Sequence, residues 1–193
     1  MNSAWTRLNA IFTFSLCVLA LLTFCCFVST CLNDYTSATL TPIKLNADKI
    51  SVSLLSDFTG NGEPADLGFL TLNIKADLNP LFNWNVKQLF IYVIAEYTSE
   101  QNVINQVILW DKIIERDIYN TKKAIIDIKN LKPKYYVWDD GVGGLKGNEN
   151  VTLNMYWNII PNTGPIFTSG LNLDTNSPKN IIRFPHSYAT TRH

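Results

Sequence analysis

The sequence predicts an all-β protein on a membrane tether: a single N-terminal transmembrane helix followed by an antiparallel β-sandwich. Three observations carry this expectation. Residues 8–33, between Arg7 and Asp34, hold no charge. The rest of the chain is cut by turn residues into short stretches in which apolar and polar residues alternate. All four cysteines, Cys17, Cys25, Cys26 and Cys31, lie inside the apolar segment, so the downstream part must fold on its core without disulfides. Its length of roughly 160 residues is ordinary for one domain with a substantial interior.

Ile11 to Leu32 (IFTFSLCVLALLTFCCFVSTCL) would rise about 33 Å as a helix, close to the ~30 Å thickness of a bilayer's hydrocarbon. Trp5 before it and Tyr35 after it fall where amphipathic rings prefer to sit, and Arg7 joins the α-amino group on the leading side. The trailing side has Asp34 and no cation until Lys44. Because positive charge stays cytoplasmic, we expect residues 1–10 in the cytosol, 11–32 in the bilayer and the remainder across it, with Trp5, Arg7 and Tyr35 as interface anchors. A cleaved signal peptide would have an apolar centre of only ~7–15 residues and a small-x-small cleavage site. Here the apolar stretch is longer and ends in nothing better than Val28-Ser29-Thr30 or Ser29-Thr30-Cys31, which favours an uncleaved signal-anchor.

Beyond a polar, Thr-rich connection from Thr36 to Lys49, Ile50, Val52 and Leu54 alternate with Ser51 and Ser53 as in a half-buried strand. Asp57 to Gly62 with Pro64 reads as a turn, and Leu70, Leu72 and Ile74 resume the alternation. Leu89 to Ala95 (LFIYVIA) is continuously apolar and short, which predicts a central strand covered on both faces. Val103 to Ile114 has no clean period; a helix stays open, although its β-branched residues favour a strand. Ala124 to Ile128 and Lys134 to Trp138 are shorter candidates. Val151, Leu153, Met155, Trp157 and Ile159 then alternate cleanly with Thr152, Asn154, Tyr156 and Asn158, after a Gly-rich loop from Asp140 to Asn150. About seven strands with turns between them predict a sandwich, residues 33–164. The segment 165–193, with Pro165, Pro178 and Pro185, is expected to be irregular and to wrap or trail from it.

The chemistry is mostly a matter of exclusions. A net charge of zero and a pI near 6.7 argue against nucleic acid as a partner. The two histidines, His186 and His193, lie in the Pro-rich tail, a poor place to hold a general base, so a Ser-His-Asp triad is not expected. Without downstream cysteine there is no Cys-His nucleophile and no thiolate zinc site. Asp139, Asp140, Asn148 and Glu149 flank one loop in an order that no calcium loop uses, so no metal is assigned. Gly141, Gly143, Gly144 and Gly147 precede a strand rather than a helix, which removes the phosphate-binding reading. The lysines at 122, 123, 129, 132 and 134 suit solvated strand edges. At least three of Trp84, Trp110, Trp138 and Trp157 are expected in the core. Asn150-Val151-Thr152 is the one N-glycosylation sequon, and the expected topology makes Asn150 the candidate acceptor. No catalytic, metal or cofactor residues are assigned. Two competing classes are a secreted or surface-anchored binding and adhesion module, and a tethered hydrolase using Asp139 with Glu149 or Asp57.

Several blocks occur in a familiar order: Asp57-Phe58-Thr59-Gly60, Asp66-Leu67-Gly68-Phe69, Trp84-Asn85-Val86-Lys87-Gln88-Leu89-Phe90, Ala95-Glu96-Tyr97 and Asn105 to Ile113 (NQVILWDKI). They continue through Asp139-Asp140-Gly141, Leu145-Lys146-Gly147-Asn148, Asn150-Val151-Thr152-Leu153, Trp157-Asn158 and Pro161-Asn162. Together they resemble the signal peptidase complex subunit 3 family, up to about Gly164; residues after about Pro165 match it only loosely, and the polar stretches Thr36 to Asp48 and Ile114 to Thr121 are individual to this chain. The resemblance implies a single-pass type II protein of the endoplasmic reticulum membrane with a lumenal β-sandwich, glycosylated at a sequon like that of Asn150. It implies no cofactor and no catalysis of its own. The implied partners are a serine-type catalytic subunit, other membrane subunits of the complex, the lipid bilayer and, indirectly, signal-peptide-bearing preproteins.

Overall fold

Ser3 opens the long helix α1 (Ala4–Thr30), its hydroxyl accepting from the Thr6 N–H at 3.3 Å and so satisfying one of the donors that a helix start leaves bare. In the computed structural model, which describes residues 3–33, 43–56, 64–99, 102–117, 124–139, 144–171 and 180–189, this helix is long and apolar enough to cross a membrane. Its apolar side chains face outward all round, as lipid contact requires, until Thr30 at its end is only 4% exposed.

The rest is two antiparallel sheets. The first contains β1 (Lys44–Ser56), β2 (Pro64–Asp77), β5 (Ile125–Leu131) and β6 (Val137–Asp139); the second contains β3 (Val86–Tyr97), β4 (Asn105–Glu115), β7 (Val151–Pro161), β8 (Phe167–Gly170) and β9 (Asn180–Ile182). Each sheet has one long strand that carries two short ones end to end along one edge. On β2, β5 lies opposite Leu72 to Asp77 and β6 opposite Asp66 to Gly68. On β7, β8 lies opposite Tyr156 to Ile159 and β9 opposite Val151 to Leu153.

The core is the seam between the sheets. Leu89, Ile91, Val93 and Ala95 of β3 and Val151, Leu153, Met155, Trp157 and Ile159 of β7 are fully buried, facing Leu70, Leu72, Ile74 and Ala76 of β2 in one cluster. The period-two pattern of β7 is thus its inner face.

Three expectations are corrected and one left open is resolved. First, β1 begins at Lys44, inside the segment read as a polar connection. A bulge between Asp48 and Ser51, with Lys49 at φ 53°, inserts one residue and moves the inward positions from Leu45 and Ala47 to Ile50 and Val52, which breaks the alternation. Second, the segment without a clean period is the strand its β-branched residues favour, β4, and the open helix alternative falls away. Its bulge places Leu109 and Trp110 consecutively in the interior, a pattern that neither strand nor helix periodicity reproduces. Third, β3 is central, between β4 and β7, but its outer face is covered unevenly: Ile94 is buried there, whereas Phe90 and Tyr92 are half-buried. Its outer apolar residues form an aromatic stack, Phe90 on Tyr92 (5.5 Å between centroids) and Tyr92 on Tyr156 (5.7 Å). Fourth, the tail is not wholly irregular, since β8 and β9 complete the second sheet. It then wraps back: Phe184 is buried against Gly68, and the Ala189 N–H reaches the Val52 carbonyl at 2.7 Å. The turn at 57–62 lies outside the described residues.

Trp157 is fully buried at the middle of β7, opposite Ile91. Trp157→Ala is expected to lower unfolding free energy by about 3–5 kcal/mol in denaturant titration and to deplete the protein in cells; a stable variant present at normal levels would contradict this placement.

Candidate junction between the helix and the sandwich

A dense polar arrangement lies where α1 meets the sandwich. The short turn Asn83-Trp84-Asn85 leads into β3, and the Asn83 side-chain oxygen accepts from the N–H groups of Asn85 (2.9 Å) and Val86 (3.1 Å). That Asx turn holds Asn85, itself buried, against the last turn of α1 and the end of β7. The Asn85 amide donates to the Thr30 hydroxyl (2.9 Å) and the Thr163 carbonyl (2.8 Å), while its oxygen accepts from the Thr163 N–H (3.1 Å) and the Cys26 thiol (3.5 Å). Both donors and both acceptor positions of the side chain are used. The Asn85 backbone carbonyl takes two more donors, the Asn162 N–H (2.7 Å) and side-chain amide (3.1 Å). Gly164, at φ 118°, closes the contact, since a Cβ there would lie 2.8 Å from the Phe27 ring.

A second buried centre ties the loop, β2 and the tail together. Asp66 accepts from the N–H groups of Leu145 and Lys146 (3.1 Å each) and from the Tyr188 hydroxyl (2.9 Å). The described part of the Gly-rich loop therefore aims these backbone donors at a carboxyl of its own chain. Lys146 also lies 4.3 Å over the Tyr188 ring.

On the outer face of the second sheet, Glu96 takes hydrogen bonds from the side-chain amides of Gln106 (2.7 Å) and Asn154. Burial and the Glu96 charge beneath it push the Tyr156 hydroxyl's pKa above its usual value. On the same face Asp111 is bound to Lys134 at 3.0 Å through one oxygen, whereas its other oxygen and the Asn158 side-chain oxygen are buried with no hydrogen-bond partner among the described residues.

The residues singled out by sequence are dispersed. Trp5 and Arg7 are exposed on the first turns of α1, and Tyr35 lies outside the described residues. Asn150 is exposed immediately before β7, its N–H on the Asn148 side chain at 3.1 Å. Asp139 accepts from the Tyr97 hydroxyl at 3.0 Å, while His186 stands exposed 3.6 Å from Glu149. Asp57, Asp140 and His193 are not described, and among the described residues no three metal-ligating side chains gather. Of the four tryptophans, Trp110 and Trp157 are buried, Trp138 is half-buried and Trp84 is exposed. Sequence reasoning assigned no role to Asn85, Asp66 or Thr30. The available signal was a lone polar residue set against apolar neighbours just where a strand begins.

The family described as signal peptidase subunit matches residues 1–181. Signal peptidase complex subunit 3 of Homo sapiens and that of Canis lupus familiaris are each 45% identical over 192 residues, spanning 100% of this chain and 99% of the relative. The Drosophila melanogaster protein of that name is 44% identical over 191 residues, 99% of each chain.

Burial and the adjoining Asp66 carboxyl raise the Tyr188 hydroxyl's pKa, as burial and Glu96 raise that of Tyr156. A phenol whose folded pKa exceeds its unfolded value adds stability that is complete below about pH 10 and is lost as pH rises through the folded value. Denaturant midpoints are therefore expected to hold level to about pH 9.5 and then fall, with a shallower fall in Tyr188→Phe. At neutral pH this variant should be less stable by about 1–3 kcal/mol, because it removes a donor from a buried carboxyl.

Proposed function

The chain belongs to the signal peptidase subunit family, and from that premise we propose that it is a non-catalytic, scaffolding subunit of the endoplasmic reticulum signal peptidase complex. The observation that carries the reading is a match over the whole length, helix included, to proteins named as subunit 3 of that complex. In this role α1 joins the membrane part of the assembly. The sandwich buttresses a serine-type catalytic subunit that removes signal peptides from nascent secretory and membrane proteins. Assignment of catalysis to another chain draws support from the histidines: only two occur, and His186 is exposed beside Glu149 rather than held against a nucleophile.

The charge asymmetry around α1 supports a type II orientation, with the N-terminus cytosolic, the sandwich lumenal, and Trp5, Arg7 and Tyr35 at the membrane surfaces. In that orientation Asn150 is a glycan acceptor. It stands at the start of β7, whose other end reaches Pro161 beside the helix junction, so about 33 Å of extended chain separates the glycan from the membrane side.

Full-length protein purified from membranes in mild detergent is expected to bring a serine-type signal peptidase in stoichiometric amount, together with preprotein-cleaving activity. Recovery of the chain alone and inactive would overturn the reading. Asn150→Gln is expected to abolish an endoglycosidase-sensitive mass increment while the thermal unfolding temperature stays close to that of the unmodified protein; an unchanged mass in Asn150→Gln would exclude Asn150 as the acceptor.

A further inference from the structure

We propose that the base of the sandwich beside the end of α1, carrying Trp84 and Ile166, is seated in the headgroup layer of the bilayer, with the lipid surface itself as its ligand. The inference rests on reading α1 as a membrane span. Its starting point is a distance along that helix: from Trp5 to Cys26 α1 rises about 32 Å, one hydrocarbon thickness. With Trp5 at one surface, Cys26 reaches the other, which sets the span about six residues nearer the N-terminus than the Ile11 to Leu32 expected from sequence. Cys26, Phe27 and Thr30 are also the helix residues that meet the sandwich, through Asn85 and Gly164. The base of the domain therefore cannot stand off on a flexible stalk. It is fastened to the helix at the depth where hydrocarbon gives way to headgroups.

The side chains displayed there suit that depth. Trp84 directly precedes Asn85 and is 55% exposed, whereas Trp110 and Trp157 are buried. Ile166, two residues past Gly164, is 62% exposed. A tryptophan left on the surface of a domain that buries Trp110 and Trp157 and half-buries Trp138 costs apolar exposure unless something covers it, and the membrane boundary is where an indole ring is favoured. Cations accompany it. Arg116 donates from its guanidinium to the Trp84 carbonyl at 2.5 Å and from its N–H to the Lys87 carbonyl at 2.9 Å, and both Arg116 and Lys87 are exposed. Guanidinium and ammonium groups beside an indole match lipid phosphates above the acyl chains. The occupant is taken to be lipid because this surface continues directly from the membrane helix.

The test is tryptophan quenching in the full-length chain reconstituted into phospholipid nanodiscs whose acyl chains carry bromine near the headgroup or near the chain end. Trp5→Phe leaves Trp84 as the sole reporter of the far surface, Trp84→Phe leaves Trp5, and the double variant supplies the baseline from Trp110, Trp138 and Trp157. Headgroup-proximal bromine is expected to remove most of the emission assigned to Trp84, and chain-end bromine much less of it. Ile166→Trp in the double-variant background should give a new signal quenched at the same depth, which guards against a folding defect peculiar to Trp84→Phe. If Trp5 is quenched while Trp84 and the residue-166 reporter are not, the proposal is overturned and the surface belongs to a protein neighbour. If Trp5 is not quenched either, the membrane span itself fails and the proposal fails with it.

Discussion

One buried amide, Asn85, joins the two halves of this molecule. With the packing of Phe27 on Gly164, it holds α1 against the sandwich. A single side chain with two donors and two acceptor positions binds the helix end through Thr30 and Cys26 and the end of β7 through Thr163. Only asparagine or glutamine offers that combination, and the short side chain of asparagine fits a position one residue before β3. The polar groups at such a site are poorly hydrated, so a half-satisfied version of the arrangement would cost more than an apolar contact, whereas the complete one specifies a unique geometry. Thr30 fits the same logic: its hydroxyl bonds back to the carbonyls of Cys26 (3.3 Å) and Phe27 (3.2 Å) while accepting from Asn85.

The sandwich holds itself together without cross-links. Cys17, Cys25 and Cys26 lie in α1 and Cys31 caps its end, all four free, so the stability of the domain comes from the seam between β2 on one side and β3 with β7 on the other. The short strands are recruited by the long ones. β7 has eleven residues, more than any single neighbour on its outer edge covers, and β8 and β9 divide that edge between them. This leaves few backbone groups of β7 without a ladder partner. It also explains why the tail is held in place: Tyr188 reaches Asp66, and Ala189 reaches β1.

How far the fold was legible follows from the same geometry. Regular strands with one dry face, such as β7 and the centre of β2, announce themselves by period two, and α1 by its uninterrupted apolar length. Alternation is broken at bulges, in β1 between Asp48 and Ser51 and in β4 at Leu109, where one extra residue exchanges the two faces of a strand. The tail was misread for another reason. β8 and β9 are four and three residues long, shorter than any window in which alternation can be counted, and they exist because β7 offers an edge. The chemistry of the junction was less legible still. Nothing local to Asn85 says that residues 26, 30 and 163 will meet it, because that convergence is set by the path of the chain.

The location of the hub decides which sheet has a fixed relation to the membrane. Val86, the residue after Asn85, begins β3, and Asn162 and Thr163, which hold Asn85, directly follow the end of β7. β3 and β7 are the two central strands of the second sheet and pair with each other nearly throughout their length. An orientation set at Asn85 is therefore carried, past one bulge at Lys87, along a hydrogen-bonded ladder to Ala95 and Leu153 at the far end, where a connection through loops would dissipate it within a few residues. The first sheet inherits its position only by packing across the core. A domain whose contribution is positional needs this kind of rigidity, from bilayer to distal edge, more than it needs reactive groups. The helix, the amide and the two central strands form the shortest structural route that supplies it.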